Sequence, residues 1–279
     1  MRWIADLAVL AAAVLGLISC GCGSTPAASG AVRIAGSDTM LPVNRRLAEA
    51  FMRGHPGIPI HVQGGSTGRG VERLLDGSVD LCAASRPFRP QEISRLYDRF
   101  GTMGLRFLVA RDALSVLVHP ANPVRSVSMS QLAEIFSGRI VNWSRVGGPD
   151  APIEVVLRPP NSGTYHFFRD HVLVGDDYAS PTVTALRASD VDAAVLDRPY
   201  AIGYGGLVHH QRAVALGIDG VEPSAESVRR GEYPLARYLL YYAPAPPKGS
   251  VRVFLEWCVS REGQQVVEAS GFIPLWTDG

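Results

Sequence analysis

Residues 158–164 read Arg158-Pro159-Pro160-Asn161-Ser162-Gly163-Thr164, and the fold turns on this stretch. An apolar run at 153–157 leads into it and predicts a buried strand; Tyr165, Phe167, Phe168 and Val172 follow at helical spacing. An arginine at a strand end therefore precedes a Ser-Gly-Thr that opens a helix. The first amides of a helix have no internal acceptor, and the macrodipole makes that end partly positive. With the Ser162 and Thr164 hydroxyls and the Arg158 guanidinium added, the stretch is a receptor for a tetrahedral oxyanion. The plainer alternative is that Ser162 only caps the helix and Arg158 is only a surface charge.

Two further loops carry the same chemistry. Residues 32–35 read as a strand, followed by Gly36-Ser37-Asp38-Thr39 and a helix with Pro42 in its first turn and an apolar stripe of Val43, Leu47, Ala50 and Phe51. Residues 58–62 read as a second strand leading into Gly64-Gly65-Ser66-Thr67-Gly68-Arg69-Gly70, after which Val71, Leu74 and Leu75 recur with helical spacing. Each loop lies at a strand-to-helix junction, and in open α/β sheets ligands bind at that carboxyl edge. Two such loops early in the chain and one after residue 150 predict a ligand held between two lobes.

The 279 residues suffice for two lobes, and 47% hydrophobic with 19% charged residues suits a well-cored globular α/β protein. The formal charge is +1, without a basic block, which argues against nucleic acid as a partner. Lys248 is the only lysine, so arginine supplies nearly all the positive charge.

The amino terminus reads as an address. Arg2 precedes an apolar run at 7–17, too short for a spanning helix, and Leu17-Ile18-Ser19-Cys20 follows. This ending resembles the bacterial lipoprotein box, in which the cysteine is lipidated and becomes the first mature residue. Residues 1–19 are thus expected to be a lipoprotein signal peptide. Cys20 is the expected lipid-bearing residue, and 20–30, rich in Gly, Ser, Ala, Thr and Pro, a flexible tether. The alternative is an uncleaved anchor helix. Cys82 and Cys258 lie in apolar surroundings and read as buried small hydrophobes, although secretion would permit a bridge. His166, Asp170 and His171 share a helix but lack a partner at ligand spacing, so neither metal nor cofactor is expected.

Gly64-Gly65-Ser66-Thr67-Gly68 also matches the string G-x-S-x-G of a nucleophile elbow. A secreted serine hydrolase using Ser66, with Asp177 and His209 or His210 as partners, is the alternative from another class. Glycines in such a loop equally suit close approach of amides to an anion.

Over nearly the whole mature chain the sequence resembles the PstS-type phosphate-binding proteins of bacterial ABC importers, in the type II periplasmic-binding superfamily. The resemblance is carried by Gly36-Ser37-Asp38-Thr39, Gly65-Ser66-Thr67-Gly68, Val79-Asp80-Leu81-Cys82-Ala83-Ala84-Ser85-Arg86, residues 131–143 ending in Asn142-Trp143, the 158–164 stretch, and Ala201-Ile202-Gly203-Tyr204. It implies that Thr39 with the amide of Met40, Ser66, Arg158, Ser162, Gly163 and Thr164 contact phosphate; Ser37, Thr67, Ser85 and Arg86 complete the expected set. Many members carry an aspartate in the third loop that accepts a hydrogen bond from protonated phosphate, where this chain has Ser85. A carboxylate there rejects fully ionised sulfate, whereas a serine repels nothing. Asp38 and Asp80 are the candidate substitute acceptors, unless each only satisfies its own loop.

The resemblance implies a two-lobed α/β architecture whose lobes are joined by two crossing strands. Residues 111–119 read as the outgoing strand and 238–242 as the returning one, which puts 31–113 and 243–279 in lobe one and 114–242 in lobe two. It further implies a monomer without enzymatic activity, partnered by inorganic phosphate and the transmembrane subunits of an ABC permease, and held outside the cytoplasmic membrane by a lipid on Cys20.

Overall fold

The computed structural model describes residues 30–276. Lobe one begins with β1 (Val32–Gly36), α1 (Leu41–Gly54), β2 (Ile60–Gln63), α2 (Thr67–Leu75), β3 (Leu81–Ala84) and α3 (Pro90–Phe100), and β4 (Leu105–Val118) leaves it. Lobe two follows with β5 (Ser126–Val127), α4 (Met129–Phe136), β6 (Glu154–Leu157) and α5 (Gly163–Phe168), and then β7 (Val183–Thr184), α6 (Asp190–Leu196), β8 (Ala201–Gly206), β9 (Val214–Ile218) and α7 (Ala225–Arg229). The chain returns through β10 (Ala236–Ala243) and ends on α8 (Gly249–Cys258) and α9 (Arg261–Ala269).

The strand order β2-β1-β3-β10-β4-β8-β6-β7 runs through both lobes, with β9 joining β4 and β5. β1, β2 and β3 are parallel, so their carboxyl ends share one edge, facing lobe two. β4 crosses between the lobes. Its residues 105–113 pair antiparallel with β10, while 114–118 pair with β8 and, from Val116, with β9. The outgoing strand therefore starts at Leu105, earlier than its apolar run suggests, because Arg106, Arg111 and Asp112 interrupt the apolar pattern. All of β10 is bonded to β3 or to the lobe-one half of β4. We propose that residues 236–242 go with lobe one, where the sequence reading places the return at 243; Tyr233 and Leu235 just before them pack in the lobe-two core.

Both lobes cover their sheet on two faces, as parallel strands require. In lobe one, Ile34, Leu47, Phe51, Leu81, Phe254 and Val267 form one core, and Val71, Leu74, Cys82 and Leu96 form a second, so that neighbouring Leu81 and Cys82 of β3 face different cores. In α1, Ala48 and Asn44 join the buried stripe in place of Ala50, and Asn44 accepts a bond from the Tyr241 hydroxyl at 2.7 Å. In lobe two, Phe136, Phe168 and Tyr204 stack behind α5 (Phe168 and Tyr204 centroids 4.3 Å apart) and fix its position. Trp143 is wholly buried there, its Nε1 donating to the Tyr200 carbonyl at 2.9 Å, so it is core and not ligand contact.

Candidate functional site

In lobe one, β1 ends at Gly36 with φ of 145°, and a Cβ there would lie 2.1 Å from the Ala83 carbonyl oxygen, so only glycine fits. The Ser37 amide donates to the same carbonyl at 2.8 Å. Residues Asp38–Met40 make one 3-10 turn, and Asp38 Oδ1 accepts from the Gly65 amide at 2.7 Å, tying the first loop to the second. Ser66 caps α2, its Oγ accepting from the Arg69 amide at 3.1 Å. The Ser85 amide donates to Thr67 Oγ1 at 3.3 Å, which brings the third loop in.

In lobe two, β6 delivers Arg158 and α5 opens at Gly163. Arg158 is 3% exposed; Nε donates to the Ala185 carbonyl at 3.1 Å, and Nη2 to the Leu186 carbonyl at 3.2 Å and to Asp38 Oδ2 at 3.3 Å. Burial lowers its pKa, opposed by the Asp38 carboxylate. It is not a surface charge. Ser162 occupies the N-cap position of α5 but makes no side-chain capping bond, so its hydroxyl is not consumed as a cap.

The two halves are closed on each other. Thr39 Oγ1 lies 3.2 Å from Thr164 Oγ1, and the Gly68 amide donates to the Asn161 carbonyl at 3.2 Å. A Cβ on Gly163 would stand 2.2 Å from Thr67 Oγ1 and 2.5 Å from Ser85 Oγ, so α5 begins directly against lobe one. Thr39, Thr67, Ser85, Gly163 and Thr164 thus come into one buried cluster, with Arg158 joined through Asp38; Ser37, Ser66 and Ser162 are the buried neighbours on the same loops. Ser85 Oγ is fully buried without a hydrogen-bond partner. Buried hydroxyls are usually paired, so Ser85 Oγ is the group in this cluster left free for a polar ligand.

Two expected contacts point elsewhere. The Arg86 guanidinium turns from the cleft to Glu92, Nη1 and Nη2 each 2.7 Å from a carboxylate oxygen, because burial on this side demands a counter-charge. The Met40 amide donates to the Ser37 carbonyl at 3.1 Å and is used in closing the 3-10 turn. Asp80 is likewise removed as an acceptor: it precedes β3, at the end away from the cleft, and its carboxylate holds Arg33 at 2.8 Å. Asp38 stays at the site.

Two residues escaped the sequence reading, and a third, His209, was read only as a possible hydrolase partner. Arg237 on β10 and Asp112 on β4 face each other in register, with Arg237 Nε and Nη2 3.0 and 2.8 Å from Asp112 Oδ2. His209 Nε2 lies 3.0 Å from the Thr39 carbonyl, and burial lowers its pKa while that carbonyl raises it. The available signal was a charge inside each apolar strand, Asp112 and Arg237. Nothing local marked His209 as more than a loop residue.

The hydrolase constellation is not assembled. Ser66 Oγ serves as a cap, His209 faces the Thr39 carbonyl, and Asp177 is exposed in lobe two. Among the described residues, no group of three or more His, Cys, Asp or Glu is placed to hold a metal ion. Cys82 and Cys258 are buried and unbridged, and burial raises both thiol pKa values. Cys20, the signal peptide and the tether up to residue 29 lie outside the described residues. No described helix is long and apolar enough to cross a membrane.

The family described as "PBP superfamily domain" matches residues 23–262. Phosphate-binding protein PstS of Bacillus subtilis is 33% identical over 255 residues, covering 89% of this chain and 82% of that protein. The chain belongs to the PstS-type family. Among solved structures, the phosphate-bound form of a substrate-binding protein assigned to a phosphate ABC transporter of Clostridium perfringens superposes with a TM-score of 0.81 at 27% identity, covering 88% of this chain and all (100%) of that one. An ABC-type phosphate transport receptor from Vibrio cholerae gives 0.74 at 25% identity, over 87% and 99% of the two chains. The family's two-lobed architecture is the one described above.

Proposed function

We propose that this chain captures inorganic phosphate between its two lobes, outside the cytoplasmic membrane, and delivers it to the transmembrane subunits of an ABC importer. The observation that carries this reading is the buried cluster of Thr39, Thr67, Ser85 and Thr164 hydroxyls beside Arg158, contributed by both lobes and including the unpaired Ser85 Oγ. Hydroxyls and a guanidinium are donors suited to the oxygens of a tetrahedral anion. Arg158 and Arg237 each face a carboxylate, so the anion is held by aimed donors in a dry site more than by net charge. β4 and β10 are the hinge, and closure brings Thr164 and Arg158 onto loops of the other lobe. No bond is made or broken.

Asp38 supplies the proton acceptor that the family's aspartate provides elsewhere. It accepts one bond at each oxygen and keeps lone pairs for a phosphate hydroxyl. An aspartate at position 85 has no room in the closed form, because Ser85 Oγ already abuts the start of α5. In this reading Cys20 bears the lipid, residues 20–30 are the tether, and the protein acts as a monomer.

Titration calorimetry of the mature chain with phosphate, arsenate and sulfate tests the reading. Phosphate and arsenate are expected to bind and sulfate much more weakly; absence of phosphate binding overturns the assignment. A fluorophosphonate probe should leave Ser66 unlabelled. Intact mass of the membrane fraction should show a lipidated chain beginning at Cys20, and an unacylated precursor for Cys20→Ser.

A further inference from the structure

Arg237 is fully committed inside the hinge. Two of its nitrogens grip Asp112, whose other oxygen accepts from the Leu207 amide at 3.2 Å, and both side chains are 1% exposed. The third nitrogen, Nη1, leaves the pair and enters the phosphate cluster. It donates to Thr164 Oγ1 of lobe two at 3.1 Å and, at 3.4 Å, to the Ser85 carbonyl of lobe one. Thr164 Oγ1 is also the atom 3.2 Å from Thr39 Oγ1. The face of the Phe167 ring, 5.4 Å from the guanidinium carbon, holds the group in place.

A guanidinium has donors only, so the Thr164 oxygen is an acceptor toward Arg237 and its own proton must point elsewhere. If that proton goes to Thr39, the Thr39 proton is turned outward; if Thr39 donates to Thr164, the Thr164 proton is turned outward. Either arrangement leaves one hydroxyl proton of the pair uncommitted and available to an anion. We propose that Arg237 is a positioning residue that orients the Thr164–Thr39 hydroxyl pair as a donor, so that the site selects ionised phosphoryl oxygens over protonated ones. Arg237 does this without contacting the anion, and because it acts from the hinge while touching both lobes, the donor arrangement is complete only when the lobes close. The inference rests on the phosphate reading of the cluster. The charged and titratable groups around the relay are Asp112, Asp38, Arg158 and His209.

Removing Arg237 alone would leave Asp112 buried and unpaired, which destabilises the fold by itself. Two variants avoid this. Arg237→Lys keeps a charge for Asp112 but has no fork to reach Thr164. The double variant Asp112→Asn with Arg237→Gln removes both charges together. Asp112→Asn alone keeps the Arg237 bond to Thr164 and serves as the control. Phosphate affinity is measured by calorimetry on either side of phosphate's second ionisation, each variant being compared with wild type at the same pH so that the His166 contribution cancels. For Arg237→Lys and the double variant, dianion affinity should fall about tenfold, the worth of one hydrogen bond, while monoanion affinity falls much less, so that the pH profile flattens. Asp112→Asn, which leaves Arg237 charged and bonded to Thr164, should keep or increase the preference for the dianion. A uniform loss at every pH, with the slope unchanged, would show a merely structural role and overturn the proposal. Wild-type protein that binds no phosphate would instead overturn the reading on which it rests.

Discussion

Arg86 and Arg158 look alike in the chain and are each 3% exposed, yet they do different work in the two lobes. Each follows a strand that ends at the cleft. Arg86 finds its carboxylate inside its own lobe: Glu92 meets it with both oxygens and also accepts from the Arg89 amide at 2.8 Å, clamping the start of α3. Arg158 has its carboxylate on the other lobe, one contact at 3.3 Å, and otherwise rests on carbonyls. A satisfied fork within one lobe is scaffold. A guanidinium whose counter-charge is met only on closure is part of the moving site.

The sharpest break of this comparison is Arg86→Met. It strands Glu92 in the interior and should lower stability by about 3–5 kcal/mol in urea unfolding, while the folded fraction keeps its phosphate affinity within about tenfold. The pair also predicts acid sensitivity. Burial raises the Glu92 pKa, but the Arg86 bonds outweigh it and hold the group below the ordinary carboxylate range. A lowered carboxyl pKa stabilises above its unfolded value and is lost as pH falls through the folded value, so the wild type should weaken in acid more than the variant. Binding abolished with stability intact would reverse the two arginines' roles.

Arg158→Ala is the complementary experiment. The loss of a charged donor should reduce phosphate affinity roughly 10- to 150-fold, about 1.5–3 kcal/mol, and exceed the effect of removing Ser162 or Thr39 hydroxyls; Arg158→Lys should restore only part. Near-normal calorimetric affinity in Arg158→Ala would take the residue out of the site.

The smallest effect probes where the two regions touch. His166 of α5 lies 3.4 Å from Arg89 Nη1, and burial, Arg89, Arg86 and Arg169 lower its pKa from 6.5 to about 4. The closed form therefore holds fewer protons on His166 than an open form with an ordinary histidine, and closure weakens as pH falls through that interval. Affinity for the monoanion should drop severalfold between about pH 6.5 and 5, and His166→Gln should flatten the slope. A wild-type slope that survives in His166→Gln would place the titrating group elsewhere.

Much of the candidate site was legible because it lies in loops, where Gly, Ser, Thr and Arg at strand-to-helix junctions have few other reasons to cluster. Ser162, Thr164 and Arg158 could be named from that pattern alone, while Thr39 and Ser66 were named through the family resemblance. Arg86 was misplaced because its partner, Glu92, is one of several acids on a polar helix and becomes special only when α3 packs. Arg237 and Asp112 were missed for a related reason: they sit in different halves of the chain, and their importance comes from strand register.

The sequence by itself determined the alternation of strands and helices and the Gly-, Ser- and Thr-rich loops at strand-to-helix junctions. These follow from local periodicity and turn chemistry, which act over a few residues. The tertiary structure alone decided which buried charges are neutralised at home and which across the cleft, which hydroxyls are consumed as caps, and that Gly163 must lack a side chain because Thr67 and Ser85 stand against it. Those outcomes depend on distances between groups far apart in the chain, 125 residues between Thr39 and Thr164 and 152 between Arg237 and Ser85, and the pairing of such groups is settled by packing and register.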